Sequence, residues 1–146
     1  MKKDRFKACV AVYLILKKDN QVLLHLRQNS GYKDGYYSLV SGHLDGNETA
    51  YDAMVREAQE EAGIQINPKD LQVTHVMHRI KKDDNEYIDI YFTCSRWSGE
   101  VKNCEVHKCG DLRFFPKNAL PDNVIPSVKN ALEFSEKKVV YSEERE

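Results

Sequence analysis

Residues 42–64 read GHLDGNETAYDAMVREAQEEAGI, and this stretch decides how the rest of the chain is interpreted. Its apolar side chains recur at the spacing of one helix face: Tyr51, Met54, Val55, Ala58 and Ala62. Gly63 comes directly after the last of them, where a glycine in the left-handed conformation commonly ends a helix. The stretch therefore predicts a helix that begins near residue 48 and ends at Gly63.

Three carboxylates lie close together on this predicted helix. Glu57, Glu60 and Glu61 stand at positions i, i+3 and i+4, on the side opposite the apolar stripe, and we expect them to face outward. Each would lose a few tenths of a kcal/mol to repulsion by its neighbours, and a helix C-terminus disfavours anions. A solvated acidic surface is one interpretation. A bound cation is the other, and oxygen ligands of this kind suit Mg²⁺, with Mn²⁺ as a substitute.

The residues around the acidic cluster form a wider pattern. From Gly42 the chain runs through five residues to Glu48, then seven to Arg56-Glu57, and on through Ala58, Glu60-Glu61, Gly63 and Ile64. This pattern resembles the signature of the Nudix hydrolases, G-x5-E-x7-R-E-U-x-E-E-x-G-U, in which U is aliphatic. The resemblance holds at every fixed position of residues 42–64 and implies a fold, an α/β/α sandwich in which helices flank a mixed sheet.

The resemblance also implies a reaction and a division of roles. Water would attack a phosphorus of a nucleoside diphosphate linked to another group, with Mg²⁺ assistance. Glu60 and Glu61 would bind metal, and Glu57 would be either a ligand or the general base. Arg56 would orient Glu57, and Glu48 would pair with Arg56 in turn.

Backbone positions also have implied roles. The family places a carbonyl on the metal from the residue before the signature. That residue is commonly glycine in the family and is Ser41 here, which contributes a carbonyl equally well. Gly42 would shape the loop that brings the backbone to the metal, and Gly63 would close the helix.

Three residues outside the signature resemble positions of MutT-like members of the family. Glu105, downstream of Arg96-Trp97-Ser98-Gly99-Glu100, would complete the metal site, unless it is a solvent-facing loop residue. Arg27, at the end of a predicted strand, would contact substrate phosphates, unless it is a surface arginine. Asn123 would read a purine edge, although an asparagine before a helix is more often a cap or turn residue.

The remaining pattern predicts one α/β domain over residues 1–146, with two helices against a sheet. A second helix is expected over 124–134, with Pro126 in its first turn. The charged tail from about residue 135 is expected to fray. Strands are expected at 6–16, 22–26, 36–40, 71–80, 87–94 and 112–115, the first two as a hairpin.

Composition limits the partners and the cellular location. A net charge of -1 argues against binding to nucleic acid polymers or to a membrane surface. Four cysteines without a secretory segment predict reduced thiols in a cytoplasmic protein. Cys104, His107 and Cys109 are close in sequence but lack a C-x-x-C pair and a fourth ligand, which disfavours zinc. Self-association into a homodimer stays open.

Three functions remain for a small-molecule nucleotide ligand. The leading one is hydrolysis of a (deoxy)nucleoside triphosphate to the monophosphate and pyrophosphate. A second is hydrolysis of ADP-ribose or another nucleotide conjugate. The third is a Nudix module that senses a nucleotide without cleaving it, and the intact set Glu57, Glu60 and Glu61 argues against it.

Overall fold

The fold is described from a computed structural model, which covers residues 3–146. These residues form eight strands and two α-helices: β1 Cys9–Lys18, β2 Gln21–Arg27, β3 Tyr37–Ser38, β4 Val40–His43, α1 Ala50–Ala62, β5 Gln72–Ile80, β6 Glu86–Cys94, β7 Cys109–Pro116, α2 Pro126–Glu136 and β8 Tyr141–Arg145. A 3₁₀ turn, Pro68–Asp70, precedes β5. Within the described residues, no helix is both long and apolar enough to cross a membrane.

The strands form a mixed sheet in the order β3-β2-β1-β6-β5-β8, with β4 paired to β1 and β7 paired to β2. Strand β1 is parallel to β6 and antiparallel to β2 and β4. Helix α1 packs on one face of the sheet and α2 packs on the other. The predicted α/β/α sandwich is therefore confirmed.

The central strand β1 is buried on both faces. Val12, Leu14 and Leu16 pack into the core beneath α1, whereas Ile15 packs into the core beneath α2. A strand covered on both sides needs apolar residues at successive positions, and this explains the unbroken apolar run near the N-terminus. Strand β1 begins later than expected, at Cys9. Phe6 lies before the first paired residue and is 72% exposed.

Local sequence chemistry sets both ends of α1 and the start of α2. The Thr49 side chain accepts a hydrogen bond from the Asp52 N–H, and the Asp52 carboxylate accepts one from the Thr49 N–H, so α1 begins in a capping box. Gly63 ends α1 with φ at 68°, as predicted. Pro126 occupies the first turn of α2, also as predicted.

The strand expected over 36–40 is two strands with different partners. Tyr37–Ser38 pairs with β2, and Val40–His43 crosses over to pair with β1. Gly42 therefore lies inside strand β4, and the expectation that it shapes a loop is wrong. The β1–β4 ladder imposes this geometry, since Val12 is the direct partner of Gly42.

The tail after α2 is an ordered strand, so the expectation of fraying from about residue 135 is wrong. Strand β8 adds to the free edge of β5 in parallel, from Val76 opposite Tyr141 to Ile80 opposite Arg145. His75, which is fully buried, anchors this strand: its Nδ1 lies 2.8 Å from the Val139 carbonyl and its Nε2 lies 2.7 Å from Ser142 Oγ. Because a carbonyl only accepts, Nδ1 is the donor, and a neutral ring then accepts at Nε2.

We predict that His75→Leu lowers the free energy of unfolding by about 1–3 kcal/mol, because the substitution leaves the Val139 carbonyl and the Ser142 hydroxyl without their partner. Urea denaturation measures the loss, and hydrogen exchange of the β8 amides locates it. His78→Leu is the control on the same strand, since His78 is part-exposed and pairs only with Glu86. Equal losses in the two variants would contradict the anchoring role of His75.

Candidate functional site

The site begins with a close contact between α1 and β4. Glu57 is only 9% exposed, and its side chain lies directly over the backbone of Gly42. A Cβ atom at Gly42 would come within 2.2 Å of Glu57 Cδ, which no side chain could relieve without moving the glutamate. Position 42 therefore requires glycine for space rather than for backbone freedom.

Arg56 is the centre of an ion-pair network that holds this contact. Its Nη1 donates to Glu57 Oε1 at 2.7 Å, and its Nη2 donates to Glu48 Oε1 at 2.8 Å. Asp45 lies 3.3 Å from Nη2, and Glu60 lies 3.4 Å from Nη1. The hydrogen bond from Arg56 lowers the pKa of Glu48. The pairings of Arg56 with Glu57 and Glu48 are those that the family resemblance implied.

The acidic face of α1 does not point uniformly outward, so that expectation is wrong for two of its three members. Glu57 and Glu61 are one helical turn apart and both turn toward β4, whereas the Glu60 side chain is 51% exposed. At about 100° per residue, position 61 lies about 40° to one side of position 57 and position 60 about 60° to the other side, so β4 covers positions 57 and 61 and leaves position 60 in solvent.

Burial and mutual repulsion act on the two inward carboxylates. Burial raises the pKa of Glu57, the hydrogen bond from Arg56 opposes the rise, and Glu60 and Glu105 add repulsion. Burial also raises the pKa of Glu61 well above its usual range, against the hydrogen bond from the Ser41 N–H, and Glu57 and Glu105 add to the rise. The charged forms are therefore destabilised in a way that a nearby cation would reverse.

The segment before β7 brings Glu105 to the same place. The Cys104 N–H donates to the Glu61 carbonyl at 3.1 Å, and the Lys102 N–H donates to the Ala62 carbonyl at 3.0 Å. The Glu105 N–H is held by Asn103 Oδ1 at 3.0 Å. The chain after β6 thus folds onto the end of α1, and Glu105 lines the same cavity as Glu61 and Ser41.

The oxygen atoms of Glu57, Glu61, Glu105 and the β4 backbone fit a divalent cation by their chemistry. They are all oxygens, from carboxylates and from the backbone of β4, and hard cations prefer such ligands. Across residues 3–146 no three acidic, histidine or cysteine side chains are already gathered at metal-binding spacing, so the carboxylates adjoin without closing on one point. Cys104, His107 and Cys109 are likewise not gathered at metal-binding spacing. The Cys109 thiol is buried and donates a hydrogen bond to the Asp111 carbonyl.

A cavity of about 410 Å³ opens beside the acidic cluster and extends between the sheet and α2. Arg27 lines it and is oriented by its own loop, since Nε donates to the Tyr32 carbonyl at 2.7 Å and Nη2 donates to Ser30 Oγ at 3.0 Å. Asn123 lies outside this lining, and its side-chain amide donates to the Gly35 carbonyl at 2.8 Å.

Sequence reasoning missed the far wall of this cavity. Arg79 on β5 and Asp89 on β6 are 4% and 0% exposed and form a buried ion pair, with Nε to Oδ2 at 2.8 Å. Lys81 and Tyr32 adjoin them in the cavity lining. The signal was present on β6, where Asp89 stands between two isoleucines, but not on β5, whose other polar residues made Arg79 inconspicuous.

Comparison with known proteins identifies relatives at the level of sequence. The chain is 35% identical to an ADP-ribose pyrophosphatase of Methanocaldococcus jannaschii over 77% of this chain and 64% of that protein, so it spans less than two thirds of that relative's length. It is 31% identical to an 8-oxo-dGTP diphosphatase of Proteus vulgaris over 67% of this chain and 85% of that protein.

Solved structures show the same fold. A MutT NUDIX hydrolase from Burkholderia pseudomallei superposes with a TM-score of 0.81 at 23% identity, covering 88% of this chain and 98% of that one. The E. coli ORF135 protein superposes with a TM-score of 0.75 at 20% identity, covering 90% of each chain. The family model described as the NUDIX domain matches residues 5–137. Residues 42–64 carry the acidic signature from β4 to the end of α1, and the chain belongs to the NUDIX domain family of hydrolases.

Proposed function

We propose that this protein hydrolyses a (deoxy)nucleoside triphosphate to the monophosphate and pyrophosphate, with Mg²⁺ as the cofactor and Mn²⁺ as a substitute. The observation that carries the proposal is the meeting of Glu57, Glu61 and Glu105 from two separate segments beside a cavity that Arg27 also lines. Carboxylates for a cation and an arginine for phosphate are the two requirements of phosphoryl transfer.

The metal ligands in this proposal are the carboxylates of Glu57, Glu60, Glu61 and Glu105 and the Ser41 carbonyl, and Glu60 lies on the solvent side of the cluster. When bound, the ion would supply the positive charge that a phosphoryl group needs in order to accept water. The Ser41 N–H bond to Glu61 Oε1, 3.1 Å, already places that carboxylate against β4. Gly42 provides the space for Glu57, and Gly63 ends α1 just beyond Glu61.

The proton of the attacking water needs an acceptor. As the alternative to binding the metal, Glu57 would take this role, because Arg56 holds one of its oxygens and the raised pKa makes the carboxylate a better base. Glu48 acts through Arg56 and not on the substrate. Water attacks phosphorus, the anhydride bond breaks, and pyrophosphate leaves with the bonding electron pair.

Phosphate contact is assigned to Arg27. Two of its nitrogens hold the loop at residues 30–32, so the guanidinium is oriented before any ligand arrives. Asn123 would need to release the Gly35 carbonyl before its amide could read a base, and its role as a base-reading residue stays a prediction.

ADP-ribose is the second candidate substrate, because the relative matched over most of this chain is named an ADP-ribose pyrophosphatase. The two substrates share the diphosphate and differ in the leaving group, so the acidic cluster serves either. A sensing module is disfavoured, since Glu48, Arg56 and Glu57 form a complete network that binding alone does not need. A cytoplasmic location and homodimer formation stay predictions.

Replacing either inward carboxylate tests the site. We predict that Glu57→Gln and Glu61→Gln each lower turnover by roughly two or more orders of magnitude, because a general base or a charged ligand is lost. Purified variants are assayed with Mg²⁺ against nucleoside triphosphates and ADP-ribose, with products separated by chromatography. Glu133→Gln on the exposed side of α2 is the control. Full activity in both variants would refute the site assignment.

Metal binding is tested separately by stability. The pKa of Glu61 is raised in the folded protein. The metal-free protein therefore gains stability as the pH falls through that raised pKa, and at neutral pH the cost of the charge on Glu61 destabilises it. We predict that Glu61→Gln stabilises the metal-free protein at pH 7 and removes the stabilisation by Mg²⁺. For the unchanged protein, that stabilisation amounts to about 2.7 kcal/mol at a hundredfold excess over Kd. Thermal unfolding with and without Mg²⁺ measures both effects. Equal stabilisation of the two proteins by Mg²⁺ would contradict the assignment.

The glycine contact gives a third test. We predict that Gly42→Ala lowers turnover by about a hundredfold, because the added Cβ displaces Glu57 from its position over β4. Gly110→Ala is the matched control, since a Cβ there meets the movable ends of two side chains outside the acidic cluster, Gln28 at 2.9 Å and Leu26 at 3.3 Å. Steady-state kinetics under saturating Mg²⁺ measures the change. Equal kinetics for the two variants would show that the close contact is unimportant.

A further inference from the structure

The wall of the cavity farthest from the acidic cluster consists of hydrogen-bond donors. Arg79, Lys81 and Tyr32 all line it. Strand β5, which carries Arg79, is separated from β4, which carries Ser41, by β1 and β6, a distance of about 14 Å at the usual strand spacing. The part of this wall on β5 is therefore remote from Ser41 and the acidic cluster, whereas Tyr32 belongs to the loop that orients Arg27.

Arg79 is buried, and only one of its hydrogen bonds is short. Its Nε makes one short bond, 2.8 Å to Asp89 Oδ2. Its Nη2 lies 3.4 Å from Asp89 Oδ1 and 3.5 Å from the Tyr13 hydroxyl, and its Nη1 lies 3.4 Å from both the Tyr32 hydroxyl and Glu146 Oε2. Burying a charge without short partners is costly, so these two nitrogens are suited to a ligand that supplies acceptors.

Two further donors adjoin Arg79. The Lys81 ammonium lies 4.2 Å from the ring centre of Tyr32 and, among residues 3–146, has no carboxylate within ion-pair distance. Burial, followed by the hydrogen bond to Glu146, raises the pKa of Tyr32 to about 12, so its hydroxyl keeps its proton and donates. The wall thus offers two cations and a hydroxyl.

One acceptor already occupies this place. Glu146 Oε2 accepts a hydrogen bond from the Tyr32 hydroxyl at 2.7 Å and lies 3.4 Å from Arg79 Nη1. Glu146 follows the edge strand β8, and its backbone is attached to the sheet by one bond, from its N–H to the Ile80 carbonyl at 2.9 Å. The carboxylate has the chemistry of the ligand that this wall would bind, and its side chain is part-exposed.

We propose that Arg79, Lys81 and Tyr32 form a specificity subsite for an oxygen acceptor at the end of the nucleotide remote from the hydrolysed bond, and that Glu146 fills this subsite when no nucleotide is bound. The acceptor is either a base carbonyl or a second phosphate, since both present oxygens to donors. The subsite deepens the proposed function, on which it rests only for the entry of nucleotides into the cavity.

Matched nucleotides separate the two sources of the acceptor. IMP and AMP differ in carrying a 6-oxo or a 6-amino group, and adenosine 3′,5′-bisphosphate differs from AMP by one phosphate. Calorimetric titration of the full chain gives Kd for each without turnover. We expect IMP or the bisphosphate to bind about tenfold more tightly than AMP, as one charge-assisted hydrogen bond allows. A preference for IMP identifies the base carbonyl, and one for the bisphosphate identifies the phosphate.

Variants connect that preference to the subsite. Lys81→Met should reduce the preferred ligand's advantage over AMP to less than threefold, while Lys82→Met on the exposed turn retains it. Glu146→Ala should tighten binding of the preferred ligand about threefold or more and leave AMP unchanged, whereas Glu143→Ala on the exposed edge of β8 should change neither. Arg79 is left intact, because its removal would leave Asp89 buried and unpaired.

The outcomes distinguish the two proposals. Equal binding of all three nucleotides, or an advantage that survives in Lys81→Met, overturns the subsite even where the protein hydrolyses nucleoside triphosphates. An advantage lost in Lys81→Met by a protein that hydrolyses no nucleotide supports the subsite and overturns the proposed function.

Discussion

The contact between Glu57 and the backbone of Gly42 is the constraint on which the site depends. A glutamate that is 9% exposed would normally be an unstable feature, and here it is held by Arg56 on the helix and by the absence of a side chain on the strand. The same contact sets how closely α1 approaches β4. Helix α1 and the strand beneath it are therefore positioned by a polar contact and not only by the apolar core.

This arrangement leaves charge uncompensated in a defined place. Arg56 is shared among Glu48, Glu57, Glu60 and Asp45, so one guanidinium serves four carboxylates. Within residues 3–146, Glu61 and Glu105 form no ion pair with an arginine or lysine, and burial raises the pKa of Glu61 well above its usual range. The protein thus carries, on the wall of its cavity, a local excess of negative charge that a divalent cation and a phosphate group together would balance.

Much of this could be predicted from the sequence because the signature fixes spacing along one helix. Arg56 lies next to Glu57 in the sequence and can pair with it, and Gly63 can end the helix. Neither feature depends on the rest of the chain. The inward turn of Glu57 and Glu61 could not be predicted, because it depends on the crossover that makes residues 40–43 a strand of their own. The tail forms an ordered strand because it pairs with the edge of β5 and contacts the buried His75. Both lie far away in the sequence, and no local pattern in 135–146 reveals them. The hydrogen-bond donors around Arg79 could not be predicted either, because the sequence does not tell which face of the strand adjoins the cavity.

The central claim is that the inward carboxylates of α1 and the backbone of β4 form one cation site. Anomalous X-ray scattering from a crystal soaked in Mn²⁺ tests it most directly, since it locates the ion without reference to activity. We predict one strong peak within ligand distance of Glu57, Glu61 and the Ser41 carbonyl, at about 2.0–2.3 Å from each coordinating oxygen. A peak only elsewhere on the protein, or no peak where Glu57 and Glu61 lie, would contradict the account.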